Sequence, residues 1–149
     1  MHSMDSTDAA LLALLQSDGR LSAAELGRRV NLSQPAVSAR IHRLEQAGVI
    51  TGYRASVDPA KLGLNIHAVI RLRTTHAQIP TALAMFDKLA EITNTYRLTG
   101  EDCFLLDVHA GSAERLERIV DTVARLGPVT TSLVLRAYPP KAVTSPQQQ

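Results

Sequence analysis

Tryptophan is absent from this chain, and aromatic residues make up only 3% of it. That scarcity argues against nucleic-acid recognition that stacks bases on aromatic platforms, and it leaves Leu, Val, Ile and Ala to build the cores. There is one cysteine, Cys103, so neither an internal disulfide nor a Cys-rich zinc site is available, and a reducing cytoplasm is the expected compartment. Long apolar runs are missing too. No window approaches the roughly 18 residues of a membrane span, and the N-terminus has no charged segment followed by an apolar one, so no membrane partner is expected. The chain also lacks a phosphate-cradling glycine loop, a His-Glu-x-x-His pair and a nucleophile elbow. No cofactor, no metal site and no catalytic residue is therefore expected.

What is present suits one ordinary domain or two small ones: 149 residues, 45% hydrophobic and 20% charged, enough apolar material for packed cores. The net charge of +2 is unremarkable, but its placement is not. Residues 1–19 carry three acids and no Lys or Arg, whereas residues 20–54 carry six arginines against Glu25 and Glu45. A local basic excess of this kind is the footprint of a phosphate-contacting surface.

Residues 5–17 read as a first helix, with Leu11, Leu12, Leu14 and Leu15 apolar and Asp5 and Asp8 near its start, where the helix dipole favours acids. Ser22 and Glu25 have capping-box spacing and open a second helix that runs to about Val30. Asn31-Leu32 supplies a turn, Ser33 an N-cap and Pro35 a first-turn residue, and a third helix runs to about Ala47 before Gly48. Val37, Ile41 and Leu44 face the core by their spacing, which turns Gln34, Ser38 and His42 outward, flanked by Arg40 and Arg43. Val49-Ile50 and Tyr53–Val57 look like a small wing hairpin. Residues 5–58 are thus expected to form a winged helix-turn-helix domain, and 59–65 a linker, since Asp58-Pro59-Ala60-Lys61-Leu62-Gly63 breaks both periodicities.

Residues 66–138 follow a β-α-β-β-α-β pattern. Ile66, Ala68, Ile70 and Leu72 share one face of the first strand, and His67, Val69, Arg71 and Arg73 the other. A helix opened by Pro80 carries Leu83, Phe86 and Leu89/Ala90 as its stripe. Strands at 93–99 and 103–110 flank a tight Gly100-Glu101-Asp102 connection. A helix capped by Ser112, with Leu116, Ile119/Val120 and Val123 on one side, leads to a strand at 130–138. The fold class is α+β: a winged helix-turn-helix followed by a ferredoxin-like antiparallel sheet with both helices on one face. The helix-free face takes Cys103, Leu105, Asp107 and His109 from the third strand. From the fourth it takes either Thr131, Leu133 and Leu135 or Ser132, Val134 and Arg136. Such a mixed face predicts a homodimer through the sheets, and the tail, 139–149, is expected to be disordered.

Several segments in order, Leu15–Ser22, Leu32–Glu45, Gly48–Tyr53, Asp58–Gly63 and Thr99–Asp102, closely resemble the Lrp/AsnC or feast/famine transcription regulators, and the resemblance covers nearly all of residues 5–138. It implies an N-terminal DNA-binding domain, a C-terminal domain that senses amino acids, dimers that often assemble to octamers, and an effector pocket between subunits at the Thr-Gly loop, here Thr99, Gly100, Glu101, Asp102 and Cys103. This loop departs from the family's common Gly-Asp-Tyr-Asp-Tyr, with Cys103 where an aspartate often sits.

The plain alternative for Gln34, Ser38 and His42 is a solvated face. Turn, wing, charge and resemblance together favour base contact from a helix in the major groove of double-stranded DNA, with Pro35 and Ala39 on the same surface. Arg28, Arg29, Arg40, Arg43 and Arg54 are expected on phosphates, with Arg40 the first candidate for an internal salt bridge, to Glu45. By itself the Thr99–Asp102 stretch is an ordinary β-turn; with the family added it is a ligand loop whose glycine exposes amides to a carboxylate and whose acid meets an ammonium group. Asp107 and His109 share a strand face and could form an acid/base dyad or a metal pair, but an interface salt bridge or solvated pair is the preferred reading. Cys103 is read as a packed or pocket-lining thiol. The leading function is a sequence-specific DNA-binding regulator that responds to a small amino acid. An effector-independent architectural DNA binder is the alternative, and a DNA-tethered enzyme ranks last.

Overall fold

A computed structural model describes residues 4–146; Met1-His2-Ser3 and the last three residues of the tail lie outside them. The chain forms two compact units, one of residues up to Ser56 together with those from Pro139 onward, the other of Val57–Tyr138.

Local capping chemistry sets the first unit. Helix α1 (Ser6–Ser17) starts with a capping box in which the Asp5 carboxylate accepts from the Asp8 N–H at 2.8 Å and Asp8 accepts from the Asp5 N–H at 3.3 Å. Helix α2 (Ala23–Val30) repeats the device with Ser22 and Glu25, and α3 (Gln34–Gln46) opens on the Ser33 hydroxyl, with Pro35 in its first turn. Between α2 and α3, Asn31 takes the left-handed conformation at φ 56°. Gly27 lets the turn close. A Cβ there would lie 2.5 Å from the Leu32 carbonyl oxygen. Leu11, Leu26 and Val37 are fully buried at the centre, with Leu14, Leu15, Leu21, Val30, Leu32 and Ile41 packed around them.

Two segments of this unit differ from expectation. Among the described residues no ladder joins Val49-Ile50 to 53–57, so the wing hairpin does not form. The amides of Val49 and Ile50 both donate to the Leu44 carbonyl (2.9 and 3.1 Å), which closes α3 instead of starting a strand. The tail is ordered in part. Val143 exchanges a pair of hydrogen bonds with the Gln16 side-chain amide (2.8 and 2.9 Å), and residues 143–145 help line a groove of about 490 Å³ with Leu12, Leu15 and Tyr53.

In the second unit, strands β1 (Ile66–Leu72), β2 (Ile92–Arg97), β3 (Phe104–Ala110) and β4 (Val129–Leu133) form an antiparallel sheet in the order β2-β3-β1-β4, with helices α4 (Ile79–Phe86) and α5 (Ala113–Ala124) between them in sequence. The expected linker belongs to this unit and is structured as a 3₁₀ turn, Pro59–Leu62, capped by Asp58. Burial alternates along β3, with Phe104, Leu106, Val108 and Ala110 inside. They pack with Ile70, Leu72, Phe86, Ile119 and Val123, each large side chain contributing roughly 1.5–3 kcal/mol. The α4 stripe is Ile79, Ala82 and Phe86 rather than one through Leu83, which is 45% exposed. Ile79, Ala82 and Phe86 are three and four residues apart, so they line one face of the helix.

Register settles the helix-free face. Thr131 and Leu133 lie opposite buried Ile70 and Ala68, and Ser132 opposite Val69, so Ser132 and Val134 belong to the open face along with His67, Val69, Arg71, Leu105, Asp107 and His109. β4 stops at Leu133 instead of running on to Tyr138.

Candidate nucleic-acid interface and effector loop

Helix α3 buries Val37 and Leu44 and leaves Gln34, Pro35, Ser38, Ala39, His42 and Arg43 exposed. Ser38 and His42 are four apart and Gln34 four before them, so the three line one ridge of the helix. Arg28 and Arg29 are exposed in the last turn of α2, and Arg54 in the irregular segment after α3. All of the residues expected on the DNA surface belong to the first unit and are exposed, except for one.

Arg40 turns inward. Its Nη1 donates to Asp5 Oδ2 at 2.6 Å and Asp8 Oδ1 at 2.8 Å, with Asp8 buried. Arg40 thus clamps α3 to the N-terminus of α1 and leaves the phosphate set. The expected Arg40–Glu45 bridge is replaced by this clamp. Glu45 instead accepts a hydrogen bond from the Tyr53 hydroxyl at 2.8 Å. Burial, reinforced by Glu45, pushes the Tyr53 phenol up to about 12. Asp5 is held below the ordinary carboxylate value, first by the Asp8 amide and then by Arg40.

In the second unit, Thr99–Cys103 forms the β2–β3 connection, with Gly100 at φ 101°. Thr99, Gly100 and Glu101 are exposed, while Asp102 and Cys103 are half-buried. Both acids have cationic partners at the end of β1: Arg73, just past the strand, donates to Glu101 at 2.6 Å, and Arg71, within it, lies 3.7 Å from Asp102. The Cys103 thiol donates to the Thr74 carbonyl at 3.0 Å, and the Thr74 hydroxyl donates to the Leu126 carbonyl at 2.7 Å. Gly127 packs flat against this corner, where a Cβ would lie 2.0 Å from the Arg73 carbonyl oxygen. The loop, the end of β1 and the turn after α5 thus converge at one end of the sheet.

An AsnC-type helix-turn-helix domain matches residues 4–45, and an Lrp/AsnC ligand-binding domain matches residues 67–143. The chain belongs to the Lrp/AsnC family. It is a transcriptional regulator with a helix-turn-helix and a ligand-binding domain, and not an enzyme. The HTH-type transcriptional regulator LrpC of Bacillus subtilis is 30% identical over 88% of this chain and 91% of its own length. The solved structure of LrpC superposes with a TM-score of 0.88, at 29% identity, over 94% of this chain and all of LrpC. The regulator NMB0573 from Neisseria meningitidis, solved as a complex with L-Met, gives a TM-score of 0.85 at 29% identity, covering 97% of each chain. No helix among the described residues is long and apolar enough to cross a membrane.

This Lrp/AsnC sheet carries a polar cluster on its open face. The Asp107–His109 pair noted in the sequence is joined by His67, which lies directly opposite His109 across β1 and β3. His67 Nε2 is hydrogen-bonded to Asp107 Oδ1. The two imidazoles stack, their centroids 4.2 Å apart. Asn94 donates to Asp107 Oδ2 at 3.2 Å, and Thr93 Oγ1 sits 3.1 Å from His109 Nδ1. Burial, and then the nearness of His67, hold His109 below the usual imidazole value. Alternation already placed His67 on this face; only the β1–β3 register pairs it with His109.

Proposed function

We propose that this regulator is a cytoplasmic homodimer, joined through the helix-free sheet face and able to assemble further to octamers, that binds specific double-stranded DNA sites and responds to a small amino acid. The observation that carries the DNA half is the exposed Gln34–Ser38–His42 ridge on a helix anchored by Arg40. Such a ridge presents hydrogen-bonding groups to base edges in the major groove, and Gln34 matches adenine through two hydrogen bonds. Arg28, Arg29, Arg43 and Arg54 bind phosphates and position the reader.

The effector half rests on the Thr99–Cys103 loop and on the L-Met complex of a structurally similar regulator. Gly100 offers a backbone amide to the ligand carboxylate. Glu101 and Asp102, now paired with Arg73 and Arg71, exchange those partners for the ligand's ammonium, and the released guanidinium groups meet its carboxylate. A ligand that binds one assembly more tightly than another shifts the balance between them.

Anisotropy titrations on operator-length duplexes, with light scattering in the presence and absence of a panel of amino acids, test both halves. Gln34→Ala should relax base preference, and Arg43→Ala should weaken binding to all duplexes and reduce the salt slope by about 1. Equal affinity for all duplexes would identify the architectural alternative, and no change in affinity or assembly with any amino acid would remove the sensing half.

A further inference from the structure

The His67–Asp107–His109 cluster holds the donor set of a metal site. Asp107 and His109 are two apart on β3 and point to the same face, while His67 reaches them from the neighbouring strand. One ligand atom from each lies within 4.8 Å of the other two. A tetrahedral zinc needs its ligands about 3.3 Å apart, since Zn–N and Zn–O bonds are near 2.0–2.1 Å. All three residues sit on β1 and β3, the two central strands of the sheet, so side-chain rotation is the movement that would close that difference. Two of the remaining polar atoms already have partners of the kind that orient metal ligands: Thr93 meets His109 Nδ1, leaving Nε2 for coordination, and Asn94 holds Asp107 Oδ2, leaving Oδ1. His67 Nε2 and Asp107 Oδ1 are hydrogen-bonded to one another, and a bound cation would take the place of the shared proton.

We propose that this cluster binds a divalent transition-metal ion of the zinc class through His67 Nε2, Asp107 Oδ1 and His109 Nε2. Two imidazoles select such an ion over magnesium or calcium, which prefer all-oxygen sites. Three protein ligands leave a further coordination position, filled by water or, if the open face pairs with a second copy, by a group across the interface. Metal would then report directly on the state of that face.

The test is a titration of the chelator-stripped full chain with Co²⁺, read by its visible absorption, and with Zn²⁺ in competition with a chromophoric chelator. A single equivalent per chain is expected, with the absorption of a tetrahedral or five-coordinate ion. Asp107→Asn, which keeps the shape of the side chain, and His109→Ala should each weaken binding at least ~100-fold, and Thr93→Val about 10-fold. His42→Asn and His76→Asn, outside the cluster, should leave it unchanged. The proposal is overturned if the wild-type chain binds neither ion, or if Asp107→Asn and His109→Ala chains, with wild-type circular dichroism, bind as the wild type does.

Discussion

The two units reach order by different means. The first has a small buried centre, Leu11, Leu26 and Val37, and depends on polar devices at its chain ends: capping boxes at Asp5 and Ser22, the Arg40 clamp on Asp5 and Asp8, and the Gln16–Val143 pair. The second depends on a register-matched sheet over a broad apolar core. A helical unit that must present one exposed face to DNA has little apolar surface left to bury, so local hydrogen bonds carry more of its stability. The sheet unit buries one whole face and keeps the other available.

The largest change that separates the two is Phe104→Ala. Phe104 is 1% exposed and meets Phe86 edge-on, with ring centroids 5.3 Å apart. Its truncation should remove about 3–5 kcal/mol from the second unit. Calorimetry should show the sheet unit's transition falling while that of the helical unit holds; a single transition that falls as a whole would break the comparison.

A polar deletion should act in the reverse sense. Asp8→Ala removes a buried acceptor of Arg40 and of the Asp5 amide, and is expected to lower the first unit's stability by about 1.5–3 kcal/mol without altering the second. Acid probes the same corner. Asp5 titrates below its unfolded value of 3.8, so its stabilisation is complete above that value and is lost as pH falls through the lower folded one. Asp5→Asn should flatten that limb of an acid-unfolding curve, and an unchanged limb would take Asp5 out of the account.

The smallest effect is Gln16→Ala, which frees both bonds to Val143. It should cost about 1 kcal/mol, seen as a modest drop in the helical unit's melting temperature alone.

Most of the helices and the sheet's facing were legible in the sequence because caps, turns and alternation are local. Ser22 and Glu25, or Phe104, Leu106 and Val108, announce their roles within a few residues. What escaped depended on distant partners in two cases and on a nearby carbonyl in the third. Arg40 looked toward nearby Glu45, but its acids lie 35 and 32 residues away. The wing failed because a carbonyl inside the preceding helix, that of Leu44, takes the two amides a strand would have used. His67 was placed on the right face, yet its meeting with His109 is a fact of register that alternation cannot supply.

The Gln16–Val143 pair also changes what the end of the chain means. By sequence, residues after Pro139 trail from the sheet unit; in space those described are part of the helix-turn-helix unit. Trimming the C-terminus to tidy the protein, or fusing a tag there, is therefore an edit to the DNA-binding unit, and its symptoms should be sought in operator affinity rather than in effector response.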